Sequence, residues 1–522
     1  MGMYINVGNA GFQSARNGEY VDKSGLVQIV NDTLFTKRRF SCVTRSRRFG
    51  KSMAAEMLCA YYDKSCDSRE LFTDLEIASD PGFEKHLNKY PVIFLDISDF
   101  ITRFDGDVIV EKMDAELRED VHSAYPDIPV QEGDDLMKLL SRVVAFTQEP
   151  FIFFIDEWDS ICREFDPLTR AMDNYVNWLR RLFKGGQSSQ VFAGVYLTGI
   201  LPIKKYNTQS ALNNFVEYSM VEPADMGRYF GFTKEEVHSL AEKHGMDFDD
   251  LEKWYDGYQI GDEPSMFNPN SVMMALYSRR CRSFWAATGA FDAVAGYIRM
   301  NYEGLKDDII GMLAGERCKV NPTKFGNDMR DIHSKDDVLT VLIHLGYLSY
   351  NWRKDECYIP NKEVAGEMAN AIEANNWKPV VDALAKSEKL LAATLAGDEE
   401  AVAKGLEVVH DENTSILSYN DENSLSCVLS LAYYYARNDY VMHRELATGK
   451  GFADIVFIPR KNVDSPAIIV ELKVNRDADA AIDQILRKEY PAKVAEYSGK
   501  LLLVGINYDK ETKQHRCKIE KA

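Results

Sequence analysis

The chain has 522 residues, 45% of them hydrophobic and 27% charged, which is the composition of a soluble globular protein. That length is enough for about three domains. A formal charge of −19 argues against a surface coated in basic residues for nucleic acid, and nine cysteines without a C-x-x-C pair argue against a zinc or disulfide framework. The charge is uneven: residues 441–522 carry 15 Lys+Arg against 12 Asp+Glu, a net of +3, while the first 440 carry −22. The odd cysteine count and the lack of a basic-then-apolar leader lead to the expectation of reduced thiols in a cytoplasmic protein. Apolar runs such as 151-FIFFI-155 are too short to span a bilayer, so no membrane partner is expected.

In chain order, the first 220 or so residues alternate β-rich runs with helical stretches. The runs are 40-FSCVT-44, 91-PVIFLDI-97, 151-FIFFID-156 and 191-VFAGVYLTG-199. Buried apolar strands separated by helices predict a parallel sheet covered on both faces. From 225 to 420 the pattern is mostly helical, with 345-LGYLSYNWRKDECYIPN-361 reading as a β-hairpin shaped like a winged-helix wing. After 421 come a helix (425–437), strands at 452–459 and 467–474, a helix at 477–497 and a last strand at 500–507.

The segment 45-RSRRFGKS-52 lies between a strand and a helix, the context that a phosphate-binding loop requires. Backbone N–H groups and the helix N-terminus would wrap the phosphates of ATP. Lys51 would reach the β- and γ-phosphates, and the Ser52 hydroxyl would help hold Mg²⁺. Arg47 and Arg48, with Phe49 and Gly50, complete the predicted nucleotide contacts; Lys37 to Arg39 read as surface charge. Position 45, where G-x-x-x-x-G-K-[ST] has its first glycine, is arginine, and a bare G-K-S also fits a helix cap. In 151-FIFFIDEWD-159 an apolar strand ends in two acids. Asp156 is placed to orient the Mg²⁺ shell and Glu157 to polarise the attacking water; solvated acids ending a buried strand are the plainer alternative. Thr198, at the end of another strand, fits either a sensor beside the γ-phosphate or a turn.

Taken together, 20-YVDKSGLVQIV-30, 44-TRSRRFGKS-52, 155-IDEWD-159, 198-TGI-200 and 211-ALNNF-215 resemble the AAA-ATPase-like family. The similarity continues through 255-YDGYQI-260, 267-FNPNSV-272, 285-WAATG-289 and 345-LGYLSY-350, most of the first 360 residues. The resemblance implies a nucleotide-binding core with a helical lid, and it makes Arg45 a family trait.

Near the C-terminus, Asp454 is followed 17 residues later by 471-ELK-473. Glu471 and Lys473 at i and i+2 of a strand share a face, and a neighbouring strand can bring Asp454 beside them. Two carboxylates make an oxygen-rich site for Mg²⁺ or Mn²⁺, with Asp454 and Glu471 as ligands and Lys473 beside the attacked phosphorus. An E-x-K pair on a surface strand is the plainer alternative. The D…E-x-K layout resembles the PD-(D/E)XK nuclease superfamily. That resemblance implies an additional acid at Glu445, expected at a helix end, a helix-borne Gln484 and a following Tyr490.

The expected architecture is α/β: a P-loop NTPase (AAA-like) parallel sheet with a helical lid, plus a C-terminal restriction-endonuclease-like domain. The expected segments are 1–224 for the core, 225–420 for the lid and middle domain, and 421–522 for the nuclease-like domain. The expected activity is ATP binding coupled to metal-dependent phosphodiester hydrolysis, with DNA as partner and homo-oligomerisation left open. The alternative is a nucleotide-dependent switch or remodelling ATPase whose C-terminal domain binds nucleic acid or protein without cutting.

Overall fold

The computed structural model describes residues 2–129, 133–165, 170–203, 212–285, 302–313, 315–326, 332–374, 378–413, 429, 432–433, 436, 440–448, 451–459, 465–475, 478–487, 501–509 and 511–522. The chain forms two compact units, 1–303 with 319–366 and 304–318 with 367–522. The backbone therefore passes between them three times.

In the first unit β1 (Phe40–Thr44), β2 (Val92–Asp96), β3 (Phe151–Asp156), β4 (Phe192–Gly199) and β5 (Val216–Tyr218) form one sheet in the order β2-β3-β4-β1-β5. All of its pairings are parallel. β1, β3 and β4 are buried along their whole length, which is why their sequences are continuous apolar runs and not alternating ones. The four strands read from the sequence are present. β5, only three residues long, is an addition too short for periodicity to show.

Beyond the sheet, the helices Lys234–His244, Phe248–Tyr255 and Pro269–Ser278 surround β6 (Phe232–Thr233), β7 (Tyr258–Ile260) and β8 (Glu263–Phe267). Val237, Leu251, Tyr255, Phe267 and Val272 form their common core. Thr233 and Glu236 make a capping box at the first of these helices. Glu236 also accepts two hydrogen bonds from Lys23 Nζ at 2.7 and 2.8 Å, which fastens this subdomain to the N-terminal segment.

The chain returns to the first unit at β9 (Cys318–Lys319) and enters the helix Lys335–Leu345, buried from Asp337 onward. The expected hairpin follows as β10 (Ser349–Asn351) and β11 (Glu356–Tyr358). Its tip is docked on the β7–β8 turn: Trp352 Nε1 donates to Gly261 O at 3.1 Å and Arg353 pairs with Asp262 at 2.9 Å. Hairpin and helix are thus both engaged in packing within the unit.

The second unit is built on β12 (Tyr440–Thr448), β13 (Gly451–Pro459), β14 (Ala467–Val474), β15 (Leu501–Tyr508) and β16 (His515–Lys521). They lie side by side in chain order, antiparallel except for the parallel β14–β15 pair. Ile455, Phe457, Ile468, Val470, Leu472 and Val504 share one core with residues of the helices Lys378–Ala396 and Glu399–Asn413. On the other face Val456, Ile469 and Leu503 meet Ile482 and Ile485 of the helix Ala478–Arg487. Gly505 lets that helix close on the sheet, because a Cβ there would lie 2.5 Å from Ala478 O. The sequence predicted three strands; β12 and β16 are additional. Among the described residues no helix is long and apolar enough to cross a membrane.

Candidate functional site

In a parallel sheet, ligands bind at the carboxyl ends of the strands. At that edge of the first unit the loop after β1 runs into the helix Lys51–Tyr62, with Gly50 as its left-handed N-cap at φ 88°. Arg48 also has positive φ, 121°, a conformation that costs a non-glycine residue about 1–3 kcal/mol and clusters at functional sites. The loop opens on a cavity of about 870 Å³ lined by Arg47, Arg48, Phe49, Gly50, Lys51 and Ser52 among others.

Lys51 is buried, and its Nζ donates to Arg45 O at 2.9 Å and Ser46 O at 3.0 Å. Burial pulls the ammonium below the ordinary lysine pKa, against the attraction of Glu157, Asp156 and Asp159. Ser52 is exposed beside it. Arg47 lies 3.8 Å from Glu164, and Arg48 donates to Phe284 O at 2.9 Å.

On the neighbouring strands, Asp156 ends β3 and accepts a hydrogen bond from Thr198 Oγ1 on β4 and another from the Glu157 N–H at 3.0 Å. Asp96 stands directly across from Asp156 on β2. Burial raises its carboxyl above the usual range, with Asp156 adding to the shift and the hydrogen bonds from Ser98 opposing it. Glu157, at φ 52°, lines the cavity and is paired with Arg163. Arg163 Nε also donates to Asp159 Oδ2 at 2.9 Å, and buried Asp159 accepts the Ile200 and Leu201 N–H groups at 3.1 and 2.9 Å. Gly199 allows this closeness: a Cβ there would lie 2.5 Å from the Trp158 ring and 2.6 Å from Asp159 Oδ1. Asp96, Asp159 and Arg163 were missed in the sequence reading. The i,i+4 spacing of Asp159 and Arg163 was the available signal.

Arg45 takes no part in the cavity lining. It is fully buried, donates through Nη1 to Thr44 O and Tyr218 O at 2.8 Å, and sits over the Phe230 ring at 5.1 Å. Burial lowers its pKa to about 10. Burial and then Arg45 push the imidazole of buried His344 down to about 3, so it stays neutral. Where a glycine loop has empty space, this loop has a packing residue. Arg45→Gly should therefore cost about 3 kcal/mol of stability through the cavity it opens, whereas the volume-filling Arg45→Met should cost less than about 1.5 kcal/mol. Denaturant unfolding of both variants checks this; equal losses would contradict the packing role.

In the second unit, Glu471 is 1% exposed on β14 and accepts a hydrogen bond from Lys473 Nζ at 3.0 Å. Gln484 Nε2, on the helix that covers this face, donates to the same Glu471 oxygen. The β13–β14 register pairs Ile455 with Val470, so one step further position 454 stands opposite 471. The β12–β13 register, with 444 opposite 455 and 446 opposite 453, puts position 445 opposite 454. Continued one step past the last β13–β14 pair, the two registers put positions 445, 454 and 471 in one row across three strands. Glu445 lies within β12, a strand that the sequence pattern did not show, which corrects its expected place at a helix end. The side chains of Glu445 and Asp454, and all of Tyr490, lie outside the described residues. Among the described residues no group of three or more His, Cys, Asp or Glu is placed to hold a metal ion. Glu471 is the described carboxylate of the row, and its oxygen chemistry suits a hard divalent cation. Buried Asn507, beside Lys473 on β15, is a polar neighbour the sequence did not single out.

Two family models match the chain. Residues 7–208 match the family model described as "Predicted AAA-ATPase", and residues 421–518 match that of the PD-(D/E)XK nuclease superfamily. The chain carries an AAA-ATPase-like domain and a PD-(D/E)XK nuclease-superfamily domain. An uncharacterized protein in the vnfD 5' region of Azotobacter chroococcum mcd 1 is 25% identical over 300 residues, 55% of this chain and 54% of that protein. The chain therefore matches about half the length of that curated relative. Among solved structures, the Aeropyrum pernix ORC2 protein aligns with a TM-score of 0.35 at 12% identity, covering 70% of this chain and 98% of that one. The Aeropyrum pernix ORC1 protein in complex with DNA aligns with a TM-score of 0.23 at 10% identity, covering 94% and 99%.

Proposed function

We propose that this chain is an ATP-dependent, metal-dependent nuclease. ATP with Mg²⁺ is held by Lys51, Ser52, Asp156 and Thr198, with Arg47 and Arg48 facing the phosphates and Glu157 directing the attacking water. Phosphodiester cleavage is assigned to Asp454, Glu471, Lys473 and Gln484, with Glu445 in the same row and DNA as the substrate. A divalent cation bound there supplies Lewis acidity that lowers the pKa of water and offsets charge on the phosphate oxygens. The protein's own part is to hold Glu471 anionic and oriented, through Lys473 and Gln484, and to present Lys473 to the attacked group.

The observation that carries the reading is the buried Glu471–Lys473–Gln484 constellation. We divide the chain as 1–224, 225–420 and 421–522, and we assign the AAA-like part the role of governing cleavage. The three backbone passages between the compact units provide the covalent route for that control.

The reading is tested by incubating the chain with plasmid, single-stranded DNA and RNA in Mg²⁺ or Mn²⁺, with and without ATP. Cutting of DNA that disappears in both Asp454→Ala and Lys473→Ala is expected. Cutting that survives both substitutions, or binding without any cutting, would overturn it.

A further inference from the structure

Glu157 and Arg163 hold each other at one end of the cavity, and both line it together with Lys51 and Ser52. Arg163 is a cation with a 6% exposed side chain, held on one side by Glu157 and Ser160 and on the other by Asp159. Burial works against its charge, but Asp159, Glu157 and Glu164 outweigh burial and raise its pKa. Its charge adds, as the smallest contribution, to the lowering of the Lys51 pKa. Two cations therefore line the cavity, and one of them is bound to the carboxylate that the proposed hydrolysis uses. Glu164 extends the network to Arg47 in the loop, and Asp159 extends it to the backbone after β4.

We propose that Arg163 distinguishes ATP from ADP, because the terminal phosphate competes with Glu157 for the Arg163 guanidinium. This inference rests on the nucleotide reading of the cavity and adds to it a specificity-determining residue. The Nη2 group that donates to Glu157 and Ser160 is the donor that a phosphate would take, since a guanidinium N–H serves either anion. Asp159 keeps Nε in place during the exchange, because Asp159 is itself anchored by two backbone N–H groups. When the phosphate takes Nη2, Glu157 is released to direct water. A diphosphate leaves the pair closed. Binding and release are thereby linked to the presence of the group to be hydrolysed.

The test is the affinity of the full chain for a non-hydrolysable ATP analogue and for ADP, measured by calorimetry with Mg²⁺. Arg163→Ala should weaken the ATP analogue by about 10- to 100-fold while ADP changes less than about 3-fold, since one charge-assisted contact is lost on one ligand only. Arg163→Lys should recover part of the preference. Glu157→Gln, which leaves the Arg163–Asp159 pair intact, should strengthen the ATP analogue relative to ADP by removing the competing charge. If Arg163→Ala fails to fold, Glu157→Gln decides alone: an unchanged ATP-to-ADP ratio there overturns the inference. Parallel losses for both nucleotides in Arg163→Ala overturn it as well and leave a merely structural arginine. If the wild type binds neither nucleotide, the nucleotide reading itself falls, and the two failures are told apart by that measurement.

Discussion

Replacing Lys51 by methionine is expected to weaken ATP binding by about 100- to 1000-fold, the equivalent of about 3–4 kcal/mol. The ammonium is buried, and its neighbours Glu157, Asp156 and Asp159 do not restore its ordinary pKa. A polyanion arriving in the cavity meets a cation already stripped of water, where each charge contact is worth more than in solution. Methionine keeps the stem that packs under the loop and removes only the charge. The fold should persist, since the two carbonyls that lose a donor, those of Arg45 and Ser46, are offset by relief from burying a cation. The lowered pKa has a second consequence with a definite sign. In alkaline buffer the free site has begun to lose the Lys51 proton, whereas ATP favours the charged ammonium, so binding takes up a proton. Calorimetry in buffers of different ionisation enthalpy should show that uptake growing with pH in the wild type and absent from Lys51→Met. A loss of affinity below tenfold would place the phosphates elsewhere.

Lys473→Met is expected to lower DNA cleavage by about 10²- to 10³-fold, the loss typical of removing one preorganised charge donor from a transition state. Folding must be separated from catalysis here. Glu471 is 1% exposed and relies on Lys473 for its countercharge, so removing the lysine alone leaves a buried carboxylate and should cost about 3–5 kcal/mol of stability. The double change Glu471→Gln with Lys473→Met removes both charges and should regain most of that stability while remaining inactive. Thermal unfolding beside a cleavage assay checks both. Recovery of activity with stability in the double variant would show that the pair serves the fold alone.

The parallel sheet was legible because strands buried on both faces are continuous apolar runs, and β1, β3 and β4 are of that kind. Asp156 and Thr198 were legible as strand ends, and the structure joins them by a hydrogen bond. Glu471 and Lys473 were legible from spacing and Gln484 from the superfamily resemblance, and the β14 pleat and its covering helix bring them together. The place of Arg45 was not legible: the sequence showed only an arginine where a glycine is usual, and its side chain is turned into the interior against Phe230. Only the surroundings of a side chain, supplied by residues 218 and 230, decide which way it turns. Asp96 and Arg163 were hidden for the same reason, since partners from β3 and the turn after it give them their place. Glu445 was misplaced because β12 pairs along nine residues that carry no clean alternation.

The most direct measurement is the rate of plasmid cleavage by the full chain in Mg²⁺, with no nucleotide, with ADP and with ATP, for the wild type, Lys51→Met and Lys473→Met. The expected result is a wild-type rate that changes with ATP, a Lys51→Met rate indifferent to nucleotide, and a Lys473→Met rate lower by about 10²- to 10³-fold under every condition. A wild-type rate identical in all three nucleotide states, or cleavage by Lys473→Met within about tenfold of the wild type, would contradict an ATP-governed nuclease.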